Sequence, residues 1–283
     1  MAFKASKKRQ RREPERVGKG SPIIPSRALE VWYYREIIQL TDAMISEYKY
    51  SIEEVLNQKQ VKRFYATDSA SDVFLSLLNR LKSRWHRFFA KAAANLARSY
   101  VAKVDEQATI ATFSSLKVAG VQAPQATYTQ AIQNTLQSSE EYNKTLITNI
   151  SEEIHNKIYS SVMLSLTSPN PEEQGASGIQ KAISDIGGFT KNRARFIAED
   201  QTSKLYAALS DERMIQNGCE EFEWIHSGGG REQRKCHHDM NGMRFKINDP
   251  RLWEVNGVLK LKKGDLGPPG WAIHCRCRKR PII

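Results

Sequence analysis

Soft metal-binding side chains crowd one end of this 283-residue chain. Cys236, Cys275 and Cys277, three of the four cysteines, lie between residues 226 and 277 with four of the six histidines, His226, His237, His238 and His274. Ligand pairs in small metal sites usually stand one to four residues apart, because one turn of backbone then aims both at the ion. Cys275-Arg276-Cys277 has that spacing, and so does Cys236 with His237 or His238. In extended chain, neighbouring side chains point to opposite faces, so Cys236 and His237 converge only in a turn, whereas Cys236 and His238 converge without one. The expectation is a structural zinc clip drawn from Cys236, His237, Cys275 and Cys277. Two readings compete with it. One is plain packing, with His237 hydrogen-bonded to a backbone carbonyl, and the other is a disulfide formed after release from the cell.

Other chemistry fits the residues less well. A one-metal nuclease of the ββα type needs its Asn and last His at helical and strand spacing. Here Asn241 follows His238 too soon, and His274 comes more than thirty residues later. A thiol protease needs an activating base in contact with its cysteine, which sequence adjacency of Cys236 and His237 does not supply. Gly228-Gly229-Gly230 lacks the Lys-Ser/Thr that completes a phosphate loop, so it reads as a hairpin. Cys219 follows Asn217-Gly218 and leads into an apolar strand, where a free cysteine acts as a small hydrophobe. No enzymatic activity is expected; a metal-dependent nuclease built on the Cys/His cluster is the alternative.

The elements that must position the cluster follow from periodicity. Tyr33, Ile37, Leu40 and Met44, then Tyr48, Ile52 and Val55, recur at helical intervals from residue 31. Residues 69–119 contain neither Gly nor Pro, with Ser71 or Asp72 as entry caps and Phe74, Leu77, Leu81, Trp85, Phe88, Ala92 and Leu96 as an apolar stripe. A further helix runs from about 127 to 167 and ends at Ser168-Pro169-Asn170-Pro171. The stretch 175–188 reads as a hinge. A last long helix runs from about 190 to the Asn217-Gly218 stop. Phe222, Trp224 and His226 then alternate with Glu221, Glu223 and Ile225 as a strand. The fold class is α+β: a basic disordered arm (1–28), an elongated helical domain (29–188), and a small α+β domain with the Cys/His cluster (189–283).

Charge is distributed unevenly. The net +12 divides into +6 for residues 1–20, zero for 21–190 and +6 for 191–283. Lys7, Lys8, Arg9, Arg11 and Arg12 make the arm polycationic. Between Val73 and Val104 stand seven Lys/Arg and no Asp or Glu, and Arg80, Arg84, Arg87, Lys91 and Arg98 share one helical face. Such rows suit a polyanion, and non-specific DNA is the expected partner of both. No apolar stretch approaches the roughly 18–20 residues of a membrane span. The basic N-terminus has no apolar run followed by a cleavage site, so no secretory signal is expected. Four cysteines are too few for a disulfide scaffold of this size.

Arg234, His237, Asn241-Gly242, Phe245, the Pro268-Pro269-Gly270 loop and the closing Cys275-Arg276-Cys277 together resemble the C-terminal signature of the Mu F-like phage head morphogenesis family, over roughly residues 190–283. That resemblance places the ligand histidine at His237. It departs from relatives with a Cys-x-x-Cys, because Arg234 stands at the first of those positions. It implies a minor head protein without catalytic activity, associated with the phage portal and other head proteins. It also implies assembly in the bacterial host cytoplasm and a place in the virion head near the portal vertex.

Overall fold

The computed structural model describes residues 18–57, 69–167, 175–228, 234–255 and 257–283; Lys7, Lys8, Arg9, Arg11 and Arg12 lie outside the described residues. Four long helices come first: α1 (Arg27–Asn57), α2 (Ser69–Ala119), α3 (Gln130–Thr167) and α4 (Gly175–Gln216). They are followed by β1 (Glu221–Ile225), the one-turn α5 (Lys235–Asp239), β2 (Arg244–Lys246), a 3-10 turn (Pro250–Leu252) and β3 (Arg278–Ile282). The helices and the sheet agree with the expected α+β class. No described helix is long and apolar enough to cross a membrane.

Side-chain pairs fix the direction of each helix. Tyr33 reaches Asn143 and Tyr48 reaches His155, so α1 and α3 run the same way. Tyr33 stacks on Tyr100 while Arg84 pairs with Glu47, so α2 runs against α1. Tyr100 meets Thr202 and Thr112 meets Ser210, which aligns α4 with α2. The result is an up-down-up-down bundle, as short connections between long helices favour. Ser26 accepts a hydrogen bond from the Leu29 amide and starts α1 at Arg27, four residues before the apolar pattern begins. Ser71 and Asp72 lie inside the first turn of α2, not at its cap; Asp72 there opposes the positive end of the helix dipole.

Two expectations about the helices are corrected. In the α2 stripe, Phe74, Leu77, Leu81, Trp85 and Leu96 are buried as read, but Phe89 and Ala93 face the core in place of Phe88 and Ala92. Phe88 is 48% exposed. Both doublets offer the same residue type at either position, so the neighbouring helices decide which member turns inward. The 175–188 hinge is helix. Ile179, Ile183 and Ile186 are buried at i, i+4 and i+7, and their burial offsets the roughly 1 kcal/mol that each of Gly187 and Gly188 costs in a helix interior. One continuous helix therefore runs through residues 188 and 189, where two domains were expected to meet. It stops where expected. Gly218 adopts φ +74°, and the Cys219 amide donates to the Met214 carbonyl in a Schellman closure.

Arg213, fully buried near that stop, joins the helices. Its guanidinium pairs with Asp105 on α2 at 3.3 Å, donates to the Thr127 carbonyl at 2.9 Å and lies over the Tyr128 ring. Every nitrogen of this buried cation finds an acceptor, which a desolvated charge requires.

The sheet has the order β2-β1-β3, antiparallel throughout. Its β3 edge is covered by residues that were expected to belong to the free arm. The Gly18 and Ile283 backbones exchange hydrogen bonds at 2.9 Å, the Gly20 amide donates to Pro281 O at 3.0 Å, and the Ile23 amide donates to Lys279 O at 2.8 Å. Lys19 pairs with Glu223 on β1. Residues 18–25 are thus a strap that satisfies an otherwise open strand edge. It threads against the end of α2. A Cβ on Gly18 would stand 2.0 Å from the Ala119 carbonyl oxygen, and one on Gly20 would stand 2.4 Å from Ser115 Oγ. Gly18→Val or Gly20→Val should lower stability by about 1–3 kcal/mol and speed exchange of the Ile283 amide, read by denaturant unfolding and hydrogen exchange. An unchanged unfolding midpoint in both variants would show that the strap lies outside the cooperative fold.

A candidate Cys/His metal centre

The strand β1 brings Trp224 to the centre of the small domain, and α5 supplies the upstream candidates. Because this segment is helical, Cys236 and His237 lie about 100° apart around its axis and both turn inward. His238, the easier partner in extended chain, is instead exposed, with its ring edge-on to His226 and beside Asp239. His274 adopts φ +57° and packs its ring on Phe196, away from the cluster. The two outer histidines of the nuclease reading therefore do not converge with His237.

Three expected ligands do converge. The Nδ1 of His237 lies 3.5 Å from Cys275 Sγ and 3.8 Å from Cys277 Sγ, and all three residues are buried. Zn–S and Zn–N bonds of about 2.3 and 2.1 Å in a tetrahedron put ligand atoms roughly 3.6–3.8 Å apart, close to the observed separations. The other ring nitrogen, Nε2, lies 3.0 Å from the Asp265 carbonyl oxygen, which can only accept, so Nε2 carries a proton and donates it there. Nδ1 is left facing the two sulfurs. A metal-binding histidine typically has this arrangement, its second nitrogen donating to a carbonyl or carboxylate.

The thiols sit among donors. The Cys275 thiol is depressed to about 4, first by a hydrogen bond from Cys277 and then by His237 and the Gly270 amide working against burial. Cys277 is pushed up by its bond to Cys275 and by burial, while Trp224 and the Ser227 amide pull it down. The Trp224 Nε1, buried and without an ordinary hydrogen-bond partner, is an orphaned donor beside that sulfur. The pair is thus set to hold one negative charge, on Cys275, with Cys277 as its donor thiol. Cys236 differs. It groups with His237 and Asp265, and burial followed by the Asp265 charge holds its thiol above the usual value. All four cysteines are free thiols.

The remaining signature residues hold this frame. Arg234 pairs with Asp265 at 2.8 Å and donates to the Ile273 carbonyl at 2.8 Å, tying the start of α5 to the loop before Cys275. The Asn241 Oδ1 accepts from the His226 amide, and Gly242, at φ +82°, donates to the Trp224 carbonyl, so this pair turns the chain from α5 into β2. Phe245 packs on Phe222 and Trp224 beneath the site. Gly270, at φ +90°, lets the loop approach α4, where Ser203 Oγ donates to the Cys275 carbonyl. Between the two cysteines, Arg276 bridges Glu30 on α1 and Glu199 on α4. Asp265 was not singled out in the sequence; it is a lone carboxylate in a loop, nearly thirty residues from its partners.

Of the residues expected to meet nucleic acid, Arg80, Arg84, Arg87, Lys91 and Arg98 are all exposed along α2. Two of them are engaged: Arg84 pairs with Glu47 on α1 and Arg98 with Glu140 on α3. Arg80, Arg87 and Lys91 make no ion pair among the described residues.

Residues 172–280 match the family model of Phage Mu protein F like proteins, so the resemblance carried by Arg234, His237, Asn241-Gly242, Phe245 and the terminal Cys-Arg-Cys is shown over that segment. It begins earlier than the signature suggested, taking in the whole of α4. An uncharacterized protein of Haemophilus influenzae (strain ATCC 51907 / DSM 11121 / KW20 / Rd) is 26% identical over 278 residues. That alignment covers 95% of this chain and 56% of the relative, so the chain spans little more than half the length of the curated protein it matches. No solved structure matches the chain.

Proposed function

We propose that the chain is a phage minor head protein that acts in head morphogenesis, associates with the portal and other head proteins, and contacts DNA through its basic segments. The observation that carries this reading is the Mu F-like match, which takes in α4, β1, β2 and the Cys/His cluster. A portal-vertex location in the virion, reached after assembly in the host cytoplasm, follows from the same reading. Its test is direct. The full-length chain should co-sediment with assembled rings of the cognate portal protein and be found in heads purified from infected or induced cells. Heads that never contain it would overturn the assignment.

The His237, Cys275 and Cys277 donors fit a zinc ion in a structural role, with Cys236 sharing His237 with that set. When bound, the ion would cross-link the α5 turn to the terminal loop. The chain's own residues orient the donors: Asp265 holds the ring of His237, Ser203 holds the Cys275 backbone, and Trp224 and Phe245 exclude water. Freshly purified, reduced protein should contain about one zinc per chain by elemental analysis. Because metal binding to such a site is folding energy, a chelator or Cys275→Ser should lower the melting temperature. Metal-free protein with the same melting temperature would exclude the ion from the fold.

DNA contact rests on the polycationic arm and on Arg80, Arg87 and Lys91, the stripe cations without ion pairs among the described residues. Retardation of duplex DNA should weaken steeply between about 50 and 200 mM salt as counterions are released. Deleting residues 2–17 should flatten that dependence while leaving the strap in place. The same incubations with Mg²⁺, Mn²⁺ or Zn²⁺ should leave plasmid intact; metal-dependent cutting would favour the nuclease alternative.

A further inference from the structure

The bundle buries its apolar stripes internally, but the loop between β2 and β3 does not. Val258 is 79% exposed, Val255 67%, Trp253 43% and Trp271 38%, and Ile273 is also exposed. Trp253 and Trp271 touch edge to face with ring centroids 5.4 Å apart, so the two limbs of the loop present one surface. The Gly267 amide donating to the Leu252 carbonyl at 2.6 Å and the Trp271 ring lying on Gly267 lock those limbs together. A monomer gains nothing by holding two tryptophans and two valines in water, and a fixed apolar patch of this kind marks an interaction surface.

Charge selects the occupant. Arg244, Lys246, Lys260, Lys262 and Lys263 flank this loop, are exposed, and make no ion pair among the described residues. Of the nearby carboxylates, Asp249 and Asp265 are engaged by Arg251 and Arg234, and the loop carries one exposed carboxylate, Glu254, between Trp253 and Val255. The exposed side chains of the loop are therefore largely apolar, and these five cations stand in the adjoining chain against the one exposed carboxylate, Glu254. Single-stranded nucleic acid would match the cations and the indoles. It would leave the two most exposed residues, both valines, without a use, and the edge-to-face tryptophans offer no parallel slot for a base. A protein segment with apolar side chains flanked by carboxylates matches the tryptophans, the valines and the adjoining cations.

We propose that the Trp253–Trp271 loop face is a docking site for an acidic, amphipathic segment of another protein. The proposal stands independently of the phage-head reading and of metal in the neighbouring centre.

The probe is a random library of displayed 16-residue peptides, selected against the full-length chain. Selected peptides should share apolar residues at helical or alternate spacing interleaved with Asp and Glu. Their affinity should fall by about tenfold or more in Trp253→Ala/Trp271→Ala. A second variant, Lys260→Glu/Lys262→Glu/Lys263→Glu, removes no packing; it should reduce binding to a similar extent while keeping the wild-type melting temperature. Selection of basic peptides, or affinity unchanged in the charge variant, would overturn the proposal. So would a thymidine oligonucleotide that binds the same tryptophans and displaces the peptides, or self-association of the chain that both variants abolish.

Discussion

The small domain depends on how one imidazole is held. His237 donates its Nε2–H to the Asp265 carbonyl, which turns Nδ1 toward Cys275 and Cys277. Without a proton on Nε2 that carbonyl would lose its donor in a buried place. Asp265 itself is fixed by Arg234, which also grips the Ile273 carbonyl next to the cysteine loop. Arg234, Asp265 and His237 thus form a chain of contacts that sets the two cysteines.

That chain of contacts does not end within the sheet. The Arg276 guanidinium between the two cysteines bridges Glu30 and Glu199, and the buried Glu30 is also paired with Arg27. The strap of residues 18–25 fastens the sheet's other side to the end of α2. α4 runs unbroken from the bundle to the sheet, contributing Arg213 to the former and Ser203 to the latter. A division of the chain at residue 188 would cut this helix through its middle.

What was legible in the sequence follows the range of the forces involved. Helical periodicity is local, so the long helices and the Asn217-Gly218 stop could be read directly. Ligand spacing is local too, which is why Cys275 and Cys277 were found. The choice of His237 over His238 needed the helical turn at 235–239, a five-residue element whose alternation was ambiguous. Phe89 against Phe88 was undecidable because the two are identical and only the facing helices discriminate them. Asp265, Arg213 and the strap were invisible for one shared reason: each acts through a partner between about thirty and 265 residues away, and no period or spacing encodes such a contact. Gly187-Gly188 misled in the opposite sense, since local propensity argues for a break that buried isoleucines on either side override.

The positive charge of the chain sorts by the same logic into a working part and a bound part. Arg213, Arg234, Arg276 and Lys279 are neutralised by Asp105, Asp265, Glu30 with Glu199, and Asp211 respectively, and serve the fold. Lys19 and Arg280 share Glu223. Among the described residues, cations without ion pairs occur on every long helix, and two groups stand out by their setting: one face of α2, and the chain around the loop that exposes Trp253 and Trp271. The first is a straight row with no apolar centre, suited to a uniform polyanion. The second adjoins exposed apolar side chains, suited to a partner that brings hydrophobic side chains as well as charge. A single net charge of +12 thus conceals two surfaces of different chemistry, and the distinction rests on what lies between the cations rather than on their number.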